Sequence, residues 1–256
     1  MSLQHFFLEN QVISHEAQKQ FVLKLSSTDL SHIKVLRLRA GEHIALIDAA
    51  SDYFECEIVS ANENEVVVSI AKHLQKNENL PKLTLVQGLC KGSKMDSVVR
   101  HATELGVCKF VPFSANRSVL KLDKKRIQTK INRWQTIAKS AAMQAGQTFI
   151  PKVLKPKNLQ QLSKFLEPYD AVLICWEQAD DTCSISNALN SFNNNISKCA
   201  EIAVVVGPEG GITCNEVECL QGLKNTKLVS LGRSILRTET AGVVAPALVL
   251  YELGAL

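Results

Sequence analysis

The chain has 256 residues, 46% hydrophobic and 21% charged, enough for one large domain or two modest ones with real cores. Its net charge of +4 is a mild basic excess that suits an acidic partner without specifying one, and 5% aromatic content argues against a stacking surface for single-stranded nucleic acid. The eight cysteines contain no Cys-x-x-Cys pair, the six histidines no His-Glu-x-x-His spacing, and no apolar run nears the ~20 residues of a membrane span, which disfavours a zinc ribbon, any metal site and a membrane anchor. The amino terminus lacks a signal peptide's basic start and long apolar region, so the expected setting is cytoplasmic, with reduced thiols.

Residues 1–75 read as β-rich. Ile44–Ile47, Tyr53–Ile58 and Val66–Ile70 are strand-like runs separated by turn-forming residues, a spacing that favours a small barrel. One helix is expected among them, from Ser31 to about Leu38, and residues 76–81 read as a polar linker ending in Pro81. From 82 to 256 the pattern becomes alternating strand and helix. Strands are predicted at Leu83–Leu89, Cys108–Phe113, Ala171–Trp176, Ile202–Val206 and Lys227–Leu231, an alternation that argues for a mostly parallel sheet. A helix from about Asp123 places Ile127, Ile131, Trp134, Ala138, Ala141 and Ala145 on one face. The segment Ala241–Leu253 is apolar on nearly all sides, is interrupted by Pro246, and is expected to be buried in a core or an interface.

Two similar turns follow the last two strands. The first is Gly207-Pro208-Glu209-Gly210-Gly211, whose glycines allow backbone N–H groups to approach a ligand, and Thr213 with Glu216 then has the spacing of a capping box. It is neither the dinucleotide fingerprint nor a P-loop. The second is Gly232 to Arg237, where Arg233 and Arg237 flank Ile235 and Leu236, an arrangement suited to a ligand with an apolar or sulfur-bearing part beside an anion. Ligands of open α/β sheets bind at the carboxyl ends of strands, where both turns lie, so one shared pocket is predicted. Glu239, in the first turn of the next helix, also fits a plain helix-dipole role. From Arg117 to Lys139 eight basic residues face one acid, Asp123, a footprint for nucleic acid or simply a solvated face. No Gly-x-Ser-x-Gly elbow is present, which disfavours a covalent hydrolase.

The paired motifs Gly207–Gly211 and Leu231–Ala241 closely resemble those of the RsmE family, bacterial small-subunit ribosomal RNA uridine N3-methyltransferases of the SPOUT superfamily. Lys91-Gly92-Ser93-Lys94-Met95-Asp96, Thr103–Val107, Arg117-Ser118 and Ser31–Arg37 match as well, in the same order over almost the whole chain. The resemblance implies an amino-terminal PUA-like β-barrel and a carboxyl-terminal α/β domain with a trefoil-knotted, mostly parallel sheet and helices on both faces. It also implies S-adenosylmethionine as cofactor, no metal, ribosomal RNA as partner and a homodimer. Carried over residue by residue, the cofactor loops are Leu173, Cys175, Gly207, Glu209, Gly210, Gly211, Ile212, Leu231, Gly232, Ile235, Leu236, Arg237, Thr240 and Ala241, with Ile212, Leu231 and Leu236 as apolar walls for adenine. Arg237 is the expected stabiliser of a uracil anion and Glu239 a candidate proton acceptor, while Arg37, Lys91, Lys94, Arg117 and Lys121 are expected to contact RNA phosphates. The family usually carries arginine where this chain has His5, glutamate at Met143 and arginine at Gln147. Two rival readings share these features: a SPOUT enzyme methylating a ribose 2′-hydroxyl, and a non-catalytic RNA-binding or ribosome-assembly factor.

Overall fold

A computed structural model describes residues 3–14, 20–62, 64–76, 80–118, 124–180, 182–192 and 200–256. The chain packs as two compact units, Met1–Asn77 with Ala142–Phe149, and Glu78–Ala141 with Ile150–Leu256. Part of the predicted linker, residues 77–79, lies outside the described residues.

The first unit contains β1 (Gln4–Phe7), β2 (Phe21–Val22), α1 (Ser27–Leu36), β3 (His43–Ile47), β4 (Tyr53–Ala61) and β5 (Val66–Leu74). Its sheet runs β1-β3-β4-β5-β2, with β1 parallel to β3 and the other pairs antiparallel. Phe54, Cys56 and Ile58 of β4 are buried, while the alternating Tyr53, Glu55 and Glu57 are not, the period-two pattern of a strand with one face on a core. The three predicted strands are present; β1 and β2 are additions. The helix starts earlier than expected because the Ser26 side chain accepts the Asp29 amide at 3.1 Å and caps it. It stops at Arg37, which adopts a left-handed conformation with φ 55°. His5 stacks on Tyr53, with its Nε2 2.8 Å from the tyrosine hydroxyl, and Met143 is buried.

The second unit contains β6 (Lys82–Gly88), α2 (Lys94–Glu104), β7 (Lys109–Phe113), α3 (Lys124–Gln144, its last residues in the first unit), β8 (Lys152–Val153) and α4 (Leu159–Leu166). It continues with β9 (Ala171–Cys175), α5 (Ile185–Asn190), β10 (Glu201–Val206), α6 (Cys214–Gln221), β11 (Thr226–Val229) and α7 (Thr238–Glu252). All the strands are parallel, in the order β11-β9-β10-β6-β7-β8. Helices cover both faces. Ile202 and Val204 of β10 pack in one core with residues of α2, α3, α5 and α7, whereas Ala203 and Val205 face a second core with α4 and α6. Burial on both sides is why this strand reads as an unbroken apolar run.

The structure corrects several helix expectations. Ala145 lies beyond the end of α3 and is exposed. Helix α7 continues unbroken through Pro246, which the sequence reads as an interruption, and Leu248 is 41% and Tyr251 69% exposed in the single chain. The basic run of Arg117 to Lys139 is not simply a free cationic face: Arg133 is ion-paired with Asp96, whose other carboxylate oxygen accepts from Trp134 Nε1 at 3.1 Å.

Candidate active site

Loops at the carboxyl ends of β9, β10 and β11 close around a cavity of about 580 Å³. That volume falls within the ~300–1,000 Å³ usual for small-molecule sites. Its walls come from Cys175–Glu177, from Val206–Gly211, from Ser230–Thr238 with Ala241, and from Lys94 of α2. Gly210 of the first turn and Leu236 of the second therefore face the same space, as the sequence predicts.

The first turn is shaped by a short chain of causes. Gly211 has φ +74°, and a Cβ there would also lie 2.7 Å from Glu177 Oε1, so the position excludes side chains. The turn then enters α6 through the predicted capping box. The Thr213 amide donates to Glu216 Oε2 at 2.9 Å and the Glu216 amide to Thr213 Oγ1 at 3.3 Å. Glu216 is 1% exposed and its second oxygen accepts the Asn116 amide at 2.7 Å. The carboxylate thus joins the turn to the segment bearing Arg117, whose Nη1 donates to the Gly210 carbonyl at 3.2 Å. Glu216→Ala removes the cap and leaves two part-buried amides without this partner, and is expected to cost about 2 kcal/mol in denaturant unfolding, against about 1 kcal/mol for Thr213→Ala.

The second turn is tied to the first by a buried relay. Gln87 Nε2 donates to Thr238 Oγ1 at 2.8 Å, and that hydroxyl donates to the Gly207 carbonyl at 2.6 Å. The end of β6, the glycine turn and the start of α7 are thereby fixed together. Thr238 lies in the Leu231–Ala241 motif, but Gln87 is absent from the candidates, although an amide inside the apolar run Leu83–Leu89 is a readable signal.

Lys94 and Glu209 of the cavity lining are paired with each other. Lys94 Nζ lies 3.1 Å from Glu209 Oε1 and 3.4 Å from Glu239 Oε2, and the Lys91 amide donates to Glu209 Oε1 at 3.1 Å. Burial by itself pushes the Glu209 carboxyl up, but the Glu209 and Lys91 amides and the Lys94 ammonium outweigh it, leaving Glu209 below the usual carboxylate range. The hydrogen bond to Glu209 pushes Lys94 above the ordinary lysine value. A depressed carboxyl stabilises the fold above its unfolded pKa and loses that contribution as pH falls through the folded value; a raised ammonium stabilises below its unfolded pKa and loses it as pH rises through the folded value. Denaturant midpoints are therefore expected to plateau near neutrality and fall at both extremes. Glu209→Gln should flatten both limbs at low salt, with a smaller difference in high salt because the groups are part-exposed.

Of the predicted cofactor residues, Cys175, Gly207, Glu209, Gly210, Gly211, Leu231, Gly232, Ile235, Leu236, Arg237 and Ala241 line the cavity. Three do not. Leu173 is wholly buried inside the sheet, Ile212 is buried in the core with Val205 and Val217, and Thr240 is exposed outside the lining. Trp176, Glu177, Ser230 and Thr238 join the walls instead. Burial pushes the Cys175 thiol up to about 12, so it lines the space as a neutral group. Of the two catalytic candidates, Arg237 lines the cavity and Glu239 does not; the Glu239 carboxylate is turned to Lys94. Lys94, expected at an RNA phosphate, has the Glu209 and Glu239 carboxylates within 4 Å. Lys91 and Arg117 are exposed in the second unit, Arg37 is exposed in the first, and Lys121 lies outside the described residues. Among the described residues no group of three or more histidine, cysteine or acidic side chains is placed to hold a metal.

Residues 76–250 match the model of an RNA methyltransferase domain, and residues 25–71 that of an RNA methyltransferase PUA domain. A Bacillus subtilis protein named ribosomal RNA small subunit methyltransferase E is 33% identical over 254 residues, covering 98% of this chain and 97% of the relative. The chain belongs to the ribosomal RNA small subunit methyltransferase E family. A methyltransferase E structure from Neisseria gonorrhoeae shares the fold, with a TM-score of 0.77 at 24% identity over 98% of both chains. A putative methyltransferase of Legionella pneumophila, solved with bound S-adenosylmethionine, is 26% identical with a TM-score of 0.75, again over 98% of both chains.

Proposed function

We propose that this protein is an S-adenosylmethionine-dependent methyltransferase of small-subunit (16S) ribosomal RNA, acting on N3 of a uridine. The observation that carries the reading is the convergence of the Gly207–Gly211 and Leu231–Arg237 turns on one cavity. The cavity suits the cofactor: Val206, Leu231, Ile235 and Leu236 offer apolar wall, the glycine turn offers bare backbone, and Glu177 offers negative charge to a cationic ligand. The ligand of the Legionella relative supports the same assignment. When bound, the cofactor supplies an electrophilic methyl group.

The chain's own contribution is position and electrostatics. The walls hold ligand and base at near-attack geometry. Arg237 stands at the N-cap of α7 with an extended backbone, and its side chain makes no capping hydrogen bond, so a permanent positive charge is available to the developing uracil anion. Glu239 is given the ion pair with Lys94 rather than the role of proton acceptor. Arg37, Lys91 and Arg117 are assigned to RNA phosphates.

The remaining features follow the family reading. They are a PUA-like domain at 1–75, a linker at 76–81, a knotted catalytic domain at 82–256 and a cytoplasmic setting; no described helix is long and apolar enough to cross a membrane. A homodimer is supported by the apolar Leu248 and Tyr251 exposed on α7. Calorimetry tests the core of the proposal. Saturable binding of S-adenosylmethionine is expected, and no heat at any concentration would leave an RNA-binding factor without catalysis. RNA affinity should fall steeply with salt; a flat dependence counts against the phosphate contacts.

A further inference from the structure

Lys94 occupies an unexpected place for a cation. It is the first residue of α2, the end of a helix where the macrodipole disfavours positive charge, and the Ser93 cap makes no side-chain hydrogen bond there. What answers its charge comes from two other parts of the chain. Glu209 belongs to the turn after β10 and Glu239 to the first turn of α7, and the single ammonium lies 3.1 Å and 3.4 Å from their carboxylates. Glu239 Oε2 is buried and has no hydrogen-bond partner, so this ion pair is what offsets its charge. A phosphate approaching Lys94 would meet both carboxylates as well.

We infer that Lys94 is a positioning residue that ties the Gly207–Gly211 turn to the start of α7, holding two walls of the cofactor cavity together. This rests on the reading of that cavity as the cofactor site. Its charge is spent inside the protein, and the neighbouring Lys91, with its side chain exposed, is left as the phosphate contact. Without the ammonium, Glu209 and Glu239 repel each other, and the two loops are held only by the Gln87–Thr238–Gly207 relay.

The test is calorimetric titration of S-adenosylhomocysteine into the full chain. This probe lacks the sulfonium charge that two unmasked carboxylates would attract, so it reads the placement of the walls. Lys94→Met is expected to weaken binding about 3- to 10-fold, as for the loss of two part-exposed ion pairs. Lys94→Arg should stay near wild type, and Glu209→Gln with Glu239→Gln in the Lys94→Met background should recover most of the loss. The recovery separates a charge clamp from general damage to the fold, which added substitutions would not repair. In parallel, the slope of log affinity for ribosomal RNA against log salt should be unchanged in Lys94→Met, whereas losing a phosphate contact makes it shallower by about 0.7–0.9. Unaltered ligand affinity in Lys94→Met, a loss that the glutamine pair does not repair, or a shallower RNA slope overturns the clamp alone. Failure of the wild-type chain to bind the probe overturns the cofactor reading, and the clamp with it.

Discussion

Arg237→Ala is expected to lower turnover about 10²- to 10³-fold at saturating RNA and cofactor, the usual cost of losing one group aimed at developing charge. Two features make the result readable. Arg237 lines the cavity, and its permanent charge is the one proposed to meet the uracil anion. Its side chain does not cap α7, so the thermal midpoint should be nearly unchanged and lost activity cannot be put down to lost folding. Arg237→Lys keeps the charge but not the planar fork, and should fall between the two. Single-turnover methyl incorporation measures the step; a normal rate in Arg237→Ala would remove this residue from the chemistry.

The second large effect comes from Gly88, the last residue of β6. A Cβ there would lie 2.2 Å from the Pro208 nitrogen, 2.5 Å from its Cδ and 2.6 Å from the Gly207 carbonyl carbon. These are mainly backbone atoms and cannot rotate aside, so Gly88→Ala must displace the whole first turn. A stability loss of about 3 kcal/mol is expected, the upper end for overpacking, together with loss of cofactor binding. Gly41→Ala is the control. Its φ of +86° costs about 1–2 kcal/mol of backbone strain, but a Cβ there meets nothing within 4 Å, and cofactor binding should survive. Denaturant unfolding and calorimetry on the two variants separate steric displacement of the turn from plain destabilisation.

The second unit was legible where local pattern and tertiary burial agree. Residues 202–206 read as a strand because neighbours on both faces demand apolar side chains at every position, and β10 begins only one residue earlier. Thr213 and Glu216 could be paired by spacing alone, since a capping box is local. The misses are non-local or directional. β8 is two residues long and exists through its pairing with β7, which no window of sequence reveals. Ile212, which the resemblance puts beside adenine, has its side chain in the core with Val205 and Val217, a burial that its place next to the glycine turn does not reveal. Lys94, Glu209 and Glu239 are each visible in the sequence, yet only the fold brings them together; read one at a time, a lysine beside an expected RNA surface looks like a phosphate contact.

Methyl transfer to N3 of a uridine from the cavity between the two turns can be read directly on the product. Small ribosomal subunits and naked ribosomal RNA, each incubated with the enzyme and isotopically labelled S-adenosylmethionine, can be digested to nucleosides and resolved by mass spectrometry. Label is expected in 3-methyluridine from at least one of the two substrates, and nearly none when Arg237→Ala replaces the wild type. Label on a ribose 2′-oxygen, or no label from either substrate, would contradict it.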